Sequence, residues 1–325
     1  MATAGSVPQM ARFNRAAKLL DREKAREARA AERKGRTDAP AGAVAAYRKH
    51  VAALTECHRI PYAPKDWAAV AARGVVEMPV RNNTNGAAAR RALMRYRPTL
   101  WDRLLGLDVD KRRLLTARVA QEESKDEAAY RAAFKAAVEH NTEVEFALKL
   151  VNLDIRTIHA ALAKHTTIGE VGPAIEGFNL TVPSRGRLVA TVAGLELDDM
   201  PDERCEIADN GQGMYQPMSR AAMSALHRAN ICSAALRVGA EVLSAAPVSI
   251  VEVIVECDIV DQASGEAKRH PVLQLKLAHR ALAETTLARL DAVEAVKDFG
   301  GRMDWTSGAS FAPIDLSDGA QTVAA

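Results

Sequence analysis

The chain has 325 residues, of which 48% are hydrophobic and 26% charged, and its formal net charge is +3. This composition is typical of a soluble globular protein with enough residues for two domains. No run of 18 apolar residues occurs, and the N-terminus lacks the apolar core of a secretion signal, which excludes both segment types from the prediction. We therefore expect a cytoplasmic protein without a membrane partner. Its frequent Ala and Arg suggest a bacterial gene of high GC content.

Charge is unevenly divided along the sequence. Residues 1–120 contain 25 Lys and Arg against 11 Asp and Glu, whereas residues 121–325 contain 19 against 30. A basic half of this kind can contact nucleic acid, an acidic lipid surface, or the acidic half of the same protein or of its neighbour. The alternative is a solvated helical face whose charges bind no other molecule.

Residues 1–40 are predicted to form a basic arm that is either helical or disordered. Met10, Phe13, Ala17 and Leu20 recur at three and four residues, which is typical of one narrow apolar stripe on a helix. The stripe does not continue beyond Leu20. The arm ends in a linker that contains Pro and Gly.

Residues 41–168 are predicted to be helical. Thr99 can cap a helix, and Asp102 follows three residues later, as in a capping box. Apolar residues at helical spacing follow, namely Leu100, Leu104, Leu107, Leu114, Leu115 and Val119. Because no proline occurs between positions 99 and 172, we expect one or two long helices, arranged as a hairpin or a coiled-coil arm.

Residues 169–316 are predicted to form an α+β domain. Strand-like alternation, helical spacing and turn signals give the order ββαββα, with helices packed against an antiparallel sheet. The third element is a helix from Pro217 to Ala246 whose second half is apolar on most sides and is therefore expected to be buried. Residues 317–325 are predicted to be a disordered tail.

The C-terminal stretch carries a resemblance. The sequence ICSAALRVGAEVLSAAPVSIVEVIVECDIVDQASGEAKRHPVLQLKL, together with the later DAVEAVKDFGGRMDW, resembles a family of uncharacterised bacterial proteins that join a charged helical N-terminal region to an α+β domain. The resemblance covers about the last third of the chain and the middle helices loosely. It supports the architecture, and it implies no activity because none is known for that family.

A short glycine motif, DNGQGM at residues 209–214, resembles part of the adenine pocket of one superfamily of ATPases and kinases. In that superfamily a helix with Glu and Asn precedes the motif, but two predicted strands occupy that interval here. In that superfamily a glycine-rich lid also follows the motif, but here the motif is followed by a long, predicted Ala-rich helix. We therefore interpret Gly211 and Gly213 as turn residues, and we expect no cofactor.

One hairpin offers a candidate catalytic site. Asp258 lies on the polar face of one predicted strand, and Gln274 and Lys276 share the polar face of the next. An acid opposite Gln-x-Lys resembles the core of metal-dependent nucleases, in which acidic groups hold Mg²⁺ and the lysine steadies the attacking water. The competing interpretation is an ordinary cross-strand pairing of carboxylates with lysine.

The basic residues form the favoured candidate site. They fall into two groups, and we select as candidate binding residues Arg12, Arg15, Lys18, Arg22, Arg26, Arg29, Arg90, Arg91, Arg95, Arg112 and Arg113. Such density suits phosphate contacts that do not depend on sequence. The sequence therefore predicts a binding or scaffolding protein, homo-oligomeric through its helices, whose partner is a nucleic acid or an acidic protein.

Cysteines and histidines give no metal site in the sequence. The four cysteines contain no CxxC pair, and His159 and His165 are six residues apart, which does not place two imidazoles on one helix face. Buried, reduced cysteines and polar surface histidines are the expected roles.

Overall fold

The structure is a computed structural model that describes Lys24 and residues 42–184, 187–208, 213–260, 267–308 and 310–316. Apart from Lys24, the predicted arm lies outside the described residues, and so does the predicted tail 317–325. The structure therefore bears on the helical middle of the chain and on the α+β domain.

The described chain divides into two compact units. Residues 66–152 form a helical unit, and the described residues before 66 and after 152 together form an α+β unit. The first helix, α1 (Ala43–Thr55), belongs to the α+β unit, although the sequence places it with the helices of 41–168. Its buried Leu54 explains this, because the backbone oxygen of Leu54 accepts a hydrogen bond from Asn230 in the later part of the chain.

The helical unit is built on one helix of 44 residues. Its elements are α2 (Trp67–Ala72), α3 (Thr84–Arg95), α4 (Leu100–Leu104) and the long α5 (Asp108–Val151). Arg73 contacts Glu143 at 3.5 Å and Arg90 contacts Glu123 at 2.6 Å, so the chain before α4 runs antiparallel to α5. The predicted helical N-terminal half is confirmed for these residues. The helices seen packing on α5 in this unit are short.

The start of α3 depends on a close approach to α5. The carboxylate of Asp126 accepts hydrogen bonds from Asn85 Nδ2 at 2.7 Å and from the Gly86 backbone nitrogen at 2.8 Å. A Cβ on Gly86 would lie 2.7 Å from Glu123 Cγ and 2.2 Å from Asn83 Oδ1. The backbone of α3 thus lies so close to α5 at Gly86 that any larger residue would have to displace the side chains of Asn83 and Glu123.

The α+β unit contains α1 and twelve further helices and strands among the described residues. In chain order these are α6 (Ile155–His165), β1 (Ile175–Ser184), β2 (Arg187–Gly194), β3 (Glu203–Ile207), β4 (Gly213–Pro217), α7 (Arg220–Ala245), β5 (Ile250–Val260), β6 (Ala267–Ala278), α8 (His279–Ala283), α9 (Ala292–Asp298), β7 (Arg302–Thr306) and β8 (Ser310–Ala312). Short 3₁₀ turns lie at Ile168–Val171, Leu197–Asp199 and Leu287–Arg289.

The main sheet is mixed, which corrects the predicted antiparallel sheet. Its strand order is β1-β2-β5-β6-β7-β8, and β3 and β4 form a separate hairpin. The pair β2–β5 is parallel, with Leu188 opposite Val251, and the other neighbouring pairs are antiparallel. The reason is the connection: the β3–β4 hairpin and α7 carry the chain back before β5 begins, as a crossover between parallel strands requires. The α+β class is confirmed, and the ββαββα order omits β3, β4, β7 and β8.

Helix α7 covers one face of the main sheet and forms the core with it. Val251, Val253 and Val255 of β5 are fully buried, as is Leu277 on β6. A Cβ on Gly239 of α7 would lie 2.4 Å from Leu277 Cδ1 and 3.0 Å from Val253 Cγ2. The glycine thus lets the helix backbone lie directly on the two central strands.

Candidate binding surface

A line of polar side chains follows the buried helix α7 at intervals of three or four residues. It consists of Ser224, His227, Asn230, Ser233, Arg237 and Glu241, all buried. Ser224 Oγ donates to the Thr306 carbonyl at 3.2 Å, and Asn230 Nδ2 donates to the Leu54 and Ala174 carbonyls at 3.0 Å each. The accepting carbonyls belong to Leu54 near the end of α1, Ala174 just before β1 and Thr306 at the end of β7, so these side chains fasten neighbouring elements to the central helix.

Ser233 lies beside a histidine and a cysteine, an arrangement that resembles a nucleophile with its base. His58 Nε2 lies 3.1 Å from the Leu290 carbonyl, so it carries the proton and donates, and Nδ1 accepts from Ser233 Oγ at 2.8 Å. Burial lowers the pKa of His58, and burial raises the pKa of the Cys57 thiol. Because Ser233 is fully buried and the thiol stays protonated, this cluster holds the segment after α1 against α7.

Arg237 continues the same fastening role. Its Nη1 donates to the Cys57 carbonyl at 2.7 Å, and its Nη2 donates to the Thr167 carbonyl at 2.8 Å. Its Nε lies 3.0 Å from Glu241 Oε1, so a buried ion pair neutralises the guanidinium. The charge of Arg237 is therefore fully used within the α+β unit.

The hairpin β5–β6 does not bring the candidate nuclease residues together. Asp258 lies opposite Arg269, whereas Gln274 lies opposite Ile254 and Lys276 lies opposite Glu252. Four residues along β5 separate Asp258 from the position opposite Gln274, which corresponds to about 13 Å. In the same interval, a bulge opposite Val255 and Glu256 places one extra residue on β6.

Glu252 is the acid that lies beside Gln274 and Lys276. Its Oε1 accepts from Gln274 Nε2 at 2.6 Å, and its Oε2 is ion-paired with Arg187. Burial opposes ionisation of this carboxyl, but the hydrogen bonds from Arg187 and Gln274 outweigh burial and lower its pKa. The described residues contain no group of three or more His, Cys, Asp and Glu side chains placed to hold a metal ion.

Most of the glycine motif DNGQGM lies outside the described residues. Gly213 and Met214 are described, and both belong to β4, where Gly213 pairs with Ile207 and Met214 with Glu206. The two described residues of the motif are thus part of a strand pair.

The helical unit has an end that is rich in unpaired arginines. Helix α3 finishes at Arg95 and the antiparallel α5 begins at Asp108, so both termini lie at the same end of the unit. Seven exposed arginines there make no ion pair or side-chain hydrogen bond with any described residue, namely Arg91, Arg95, Arg97, Arg103, Arg112, Arg113 and Arg118. We call residues 91–118 the arginine-rich end.

The candidate binding residues differ in whether they are described and in whether they are ion-paired. Arg91, Arg95, Arg112 and Arg113 belong to the unpaired set, whereas Arg90 is ion-paired with Glu123. The candidates of the arm, Arg12, Arg15, Lys18, Arg22, Arg26 and Arg29, lie outside the described residues. Sequence reasoning thus found four of the seven unpaired arginines at this end.

Helix α4, within the arginine-rich end, is inverted relative to an ordinary surface helix. Its acidic residue Asp102 is buried, and the carboxylate accepts from Lys111 Nζ, from Tyr96 Oη at 3.2 Å and from the Thr99 backbone nitrogen at 3.1 Å. The hydrogen bond from Lys111 lowers the pKa of Asp102 to about 2. Leu100, Trp101 and Leu104 face solvent instead, with exposures of 82%, 72% and 78%.

The apolar surface extends beyond α4 and was not predicted from the sequence. Met94, Leu105, Leu107, Val109 and Leu114 are also exposed. The leucine spacing predicted helix through this segment, but Gly106 adopts a left-handed φ of 66° and ends α4 before α5 begins. Gly106 was therefore the signal in the sequence that could have separated the exposed leucines from the core.

Comparison of this chain with family models, with curated proteins and with solved structures finds no match. The geometry of the arginine-rich end is therefore the basis for a functional conclusion.

Proposed function

We propose that the protein acts by binding, as a bacterial scaffolding protein whose basic helical half contacts a polyanion. The observation that carries the proposal is the set of seven arginines at the arginine-rich end that make no contact with an acidic side chain among the described residues. Assembly into a homo-oligomer and a cytoplasmic setting belong to the same proposal, and they rest on the sequence alone.

The local charge supports a polyanionic partner. Between positions 90 and 118 the sequence contains nine Lys and Arg against three Asp. One of the three, Asp102, is buried and ion-paired with Lys111, so these two charges cancel and eight basic residues remain against two acidic ones. Arginine binds phosphate through two parallel N–H donors, which makes it the better of the two basic residues for such contacts.

A salt series of electrophoretic shifts with random-sequence duplex DNA tests the proposal. Neutralised phosphates release counterions, so the affinity of the full-length protein should fall steeply as salt rises. Replacing Arg91, Arg95, Arg112 and Arg113 together by Gln should reduce the slope of log affinity against log salt by about three to four. A double variant of exposed, ion-paired arginines, Arg131→Gln with Arg280→Gln, is the matched control.

Other results of the same experiment would limit or contradict the proposal. A slope that the fourfold variant leaves unchanged would remove the arginine-rich end from polyanion binding. Deleting residues 1–40 in parallel measures the share of the basic arm. If neither change alters the binding, or if no shift occurs even at low salt, the basic half does not bind nucleic acid.

A further inference from the structure

The arginine-rich end combines two features that a nucleic-acid backbone does not use together. Its arginines suit phosphate groups, but eight large apolar side chains are exposed among them, namely Met94, Leu100, Trp101, Leu104, Leu105, Leu107, Val109 and Leu114. An exposed apolar cluster of this kind marks a contact with another apolar surface. The partner must therefore offer negative charge and an apolar interior at the same place.

We infer that the arginine-rich end docks on the surface of an anionic lipid bilayer. In this arrangement Leu100, Trp101 and Leu104 enter the boundary between headgroups and acyl chains, and the surrounding arginines contact lipid phosphates. Tryptophan and arginine are both favourable at that depth. The inference rests on the proposed function, because it identifies the polyanion as an array of lipid headgroups.

The inverted build of α4 supports a lipid-facing position. Asp102 is held inside by Lys111, by Tyr96 and by the backbone of Thr99, and Thr99 Oγ1 in turn accepts from the Asp102 backbone nitrogen at 3.2 Å. This capping box fixes the helix with its polar side inward. The leucines and Trp101 therefore point outward. Exposure of these apolar side chains to water is unfavourable, and an apolar medium that covered them would remove this cost.

Duplex DNA cannot cover these residues. Proteins that insert apolar side chains into DNA must unstack a base step for each wedge, and the free energy of unstacking limits the number of wedges. Phosphate contacts alone would leave the apolar side chains in water. A bilayer interface can cover many of them at once.

A second copy of the chain does not fit the same surface. A symmetric contact would bring two arginine-rich ends together, each with nine basic residues against three acidic ones between positions 90 and 118. Like charges at such a contact repel. Docking through this surface is therefore expected to be with a molecule of opposite charge.

The inference needs no membrane-spanning segment. No described helix is long and apolar enough to cross a membrane. The expectation of no membrane partner rested on the missing apolar run, and a helix that lies at the interface does not require one. Peripheral docking is thus compatible with the sequence, whose basic half also allows an acidic lipid surface.

Co-sedimentation of the full-length protein with vesicles tests the inference. We expect binding to phosphatidylcholine vesicles that contain phosphatidylglycerol, and weaker binding to phosphatidylcholine alone. The double variant Leu100→Asn with Leu104→Asn should lower the partition coefficient roughly tenfold or more, because both side chains leave the acyl boundary. Val80→Asn, which removes an 87% exposed apolar side chain outside the arginine-rich end, should bind as the wild type does. The basic arm is present in every variant, so its attraction to lipid is common to all.

Parallel shifts with duplex DNA separate this inference from the proposed function. Vesicle binding that the leucine variant loses, with its DNA binding retained, supports docking on lipid. DNA binding without vesicle binding overturns the inference and leaves the proposed function standing, whereas binding to neither overturns both. Vesicle binding at full strength in the leucine variant also overturns the inference, because charge alone would then suffice. A change of oligomer size on light scattering without vesicle binding overturns it in favour of a protein contact.

Discussion

Arg237 on α7 and Arg113 on α5 carry the same side chain in opposite surroundings. Arg237 is buried, donates to two backbone carbonyls and is ion-paired with Glu241. Arg113 is exposed and contacts no acidic side chain among the described residues. In these two residues, the α+β unit uses an arginine to hold its own backbone, whereas the arginine-rich end of the helical unit leaves an arginine available to other molecules. The difference locates the candidate binding surface on the helical unit.

Among substitutions that test this comparison, Arg237→Met is expected to change the free energy of unfolding most. The substitution leaves Glu241 buried without a cation and two loop carbonyls without donors, which should lower the free energy of unfolding by about 3–5 kcal/mol. Urea unfolding followed by circular dichroism measures the change. Arg113→Met is the matched control, and an exposed substitution of this kind should stay within about 0.5 kcal/mol of the wild type.

A double substitution checks the cause. Arg237→Met with Glu241→Leu removes both buried charges, so a large part of the lost free energy of unfolding should return. A double variant as unstable as Arg237→Met would show that the carbonyl contacts, and not the unpaired carboxylate, carry the effect. A loss below about 1 kcal/mol for Arg237→Met alone, as for an exposed pair, would contradict the fastening role.

Two buried carboxylates, one in each unit, have pKa values shifted in opposite directions, and the one in the α+β unit gives a smaller, pH-dependent effect on stability. Burial, with the nearby charge of Asp258, raises the pKa of Glu196 to about 7, whereas the hydrogen bond from Lys111 lowers the pKa of Asp102 to about 2. A raised acid pKa means that the folded state binds the proton more tightly than the unfolded state. The contribution of Glu196 is therefore complete below its usual 4.5 and is lost as the pH rises through about 7.

Glu196→Gln should remove this dependence. The Gln side-chain oxygen can still accept from the Asp258 backbone nitrogen, which Glu196 Oε1 contacts at 2.8 Å. Relative to the wild type, the variant should gain about 2 kcal/mol of unfolding free energy between pH 5 and pH 8. Unfolding curves at the two pH values measure it, with the exposed Glu284→Gln as control. An equal difference at both pH values would show that Glu196 is charged throughout.

How far the sequence reaches can be seen on particular elements. Val251, Val253 and Val255 recur at every second position, which predicts β5 and its buried face, and the apolar run after Ile231 predicts the burial of α7. These patterns depend only on neighbouring residues, so the sequence alone is enough to predict them. The parallel pairing of β2 with β5 depends on a crossover through a polar segment that forms β3 and β4, and local periodicity does not show it.

Local sequence patterns also did not show the register of β5 against β6 or the inward orientation of Asp102 on α4. Parity correctly placed Asp258, Gln274 and Lys276 on one face, but pairing set Asp258 opposite Arg269 and put Glu252 beside Lys276. The sequence could not show that α4 turns Asp102 inward, because that orientation depends on Lys111 in the next helix. Charge density, by contrast, needs no tertiary information, and it did indicate the arginine-rich end.

The smallest expected effect on stability concerns a paired and an unpaired arginine on the same helix. Arg90 and Arg91 are neighbours on α3, but among the described residues only Arg90 pairs with an acid, Glu123, at 2.6 Å. Arg90→Gln should lower the free energy of unfolding by about 0.5 kcal/mol, as is usual for an exposed ion pair, and Arg91→Gln should leave it unchanged. For polyanion affinity at low salt the order should reverse, because the Arg90 charge is already partly neutralised while that of Arg91 is available to a phosphate. Electrophoretic shifts and urea unfolding on the two single variants give both orders. If Arg90→Gln weakened binding as much as Arg91→Gln, pairing within the helical unit would not determine which arginines bind, and total charge alone would explain the affinity.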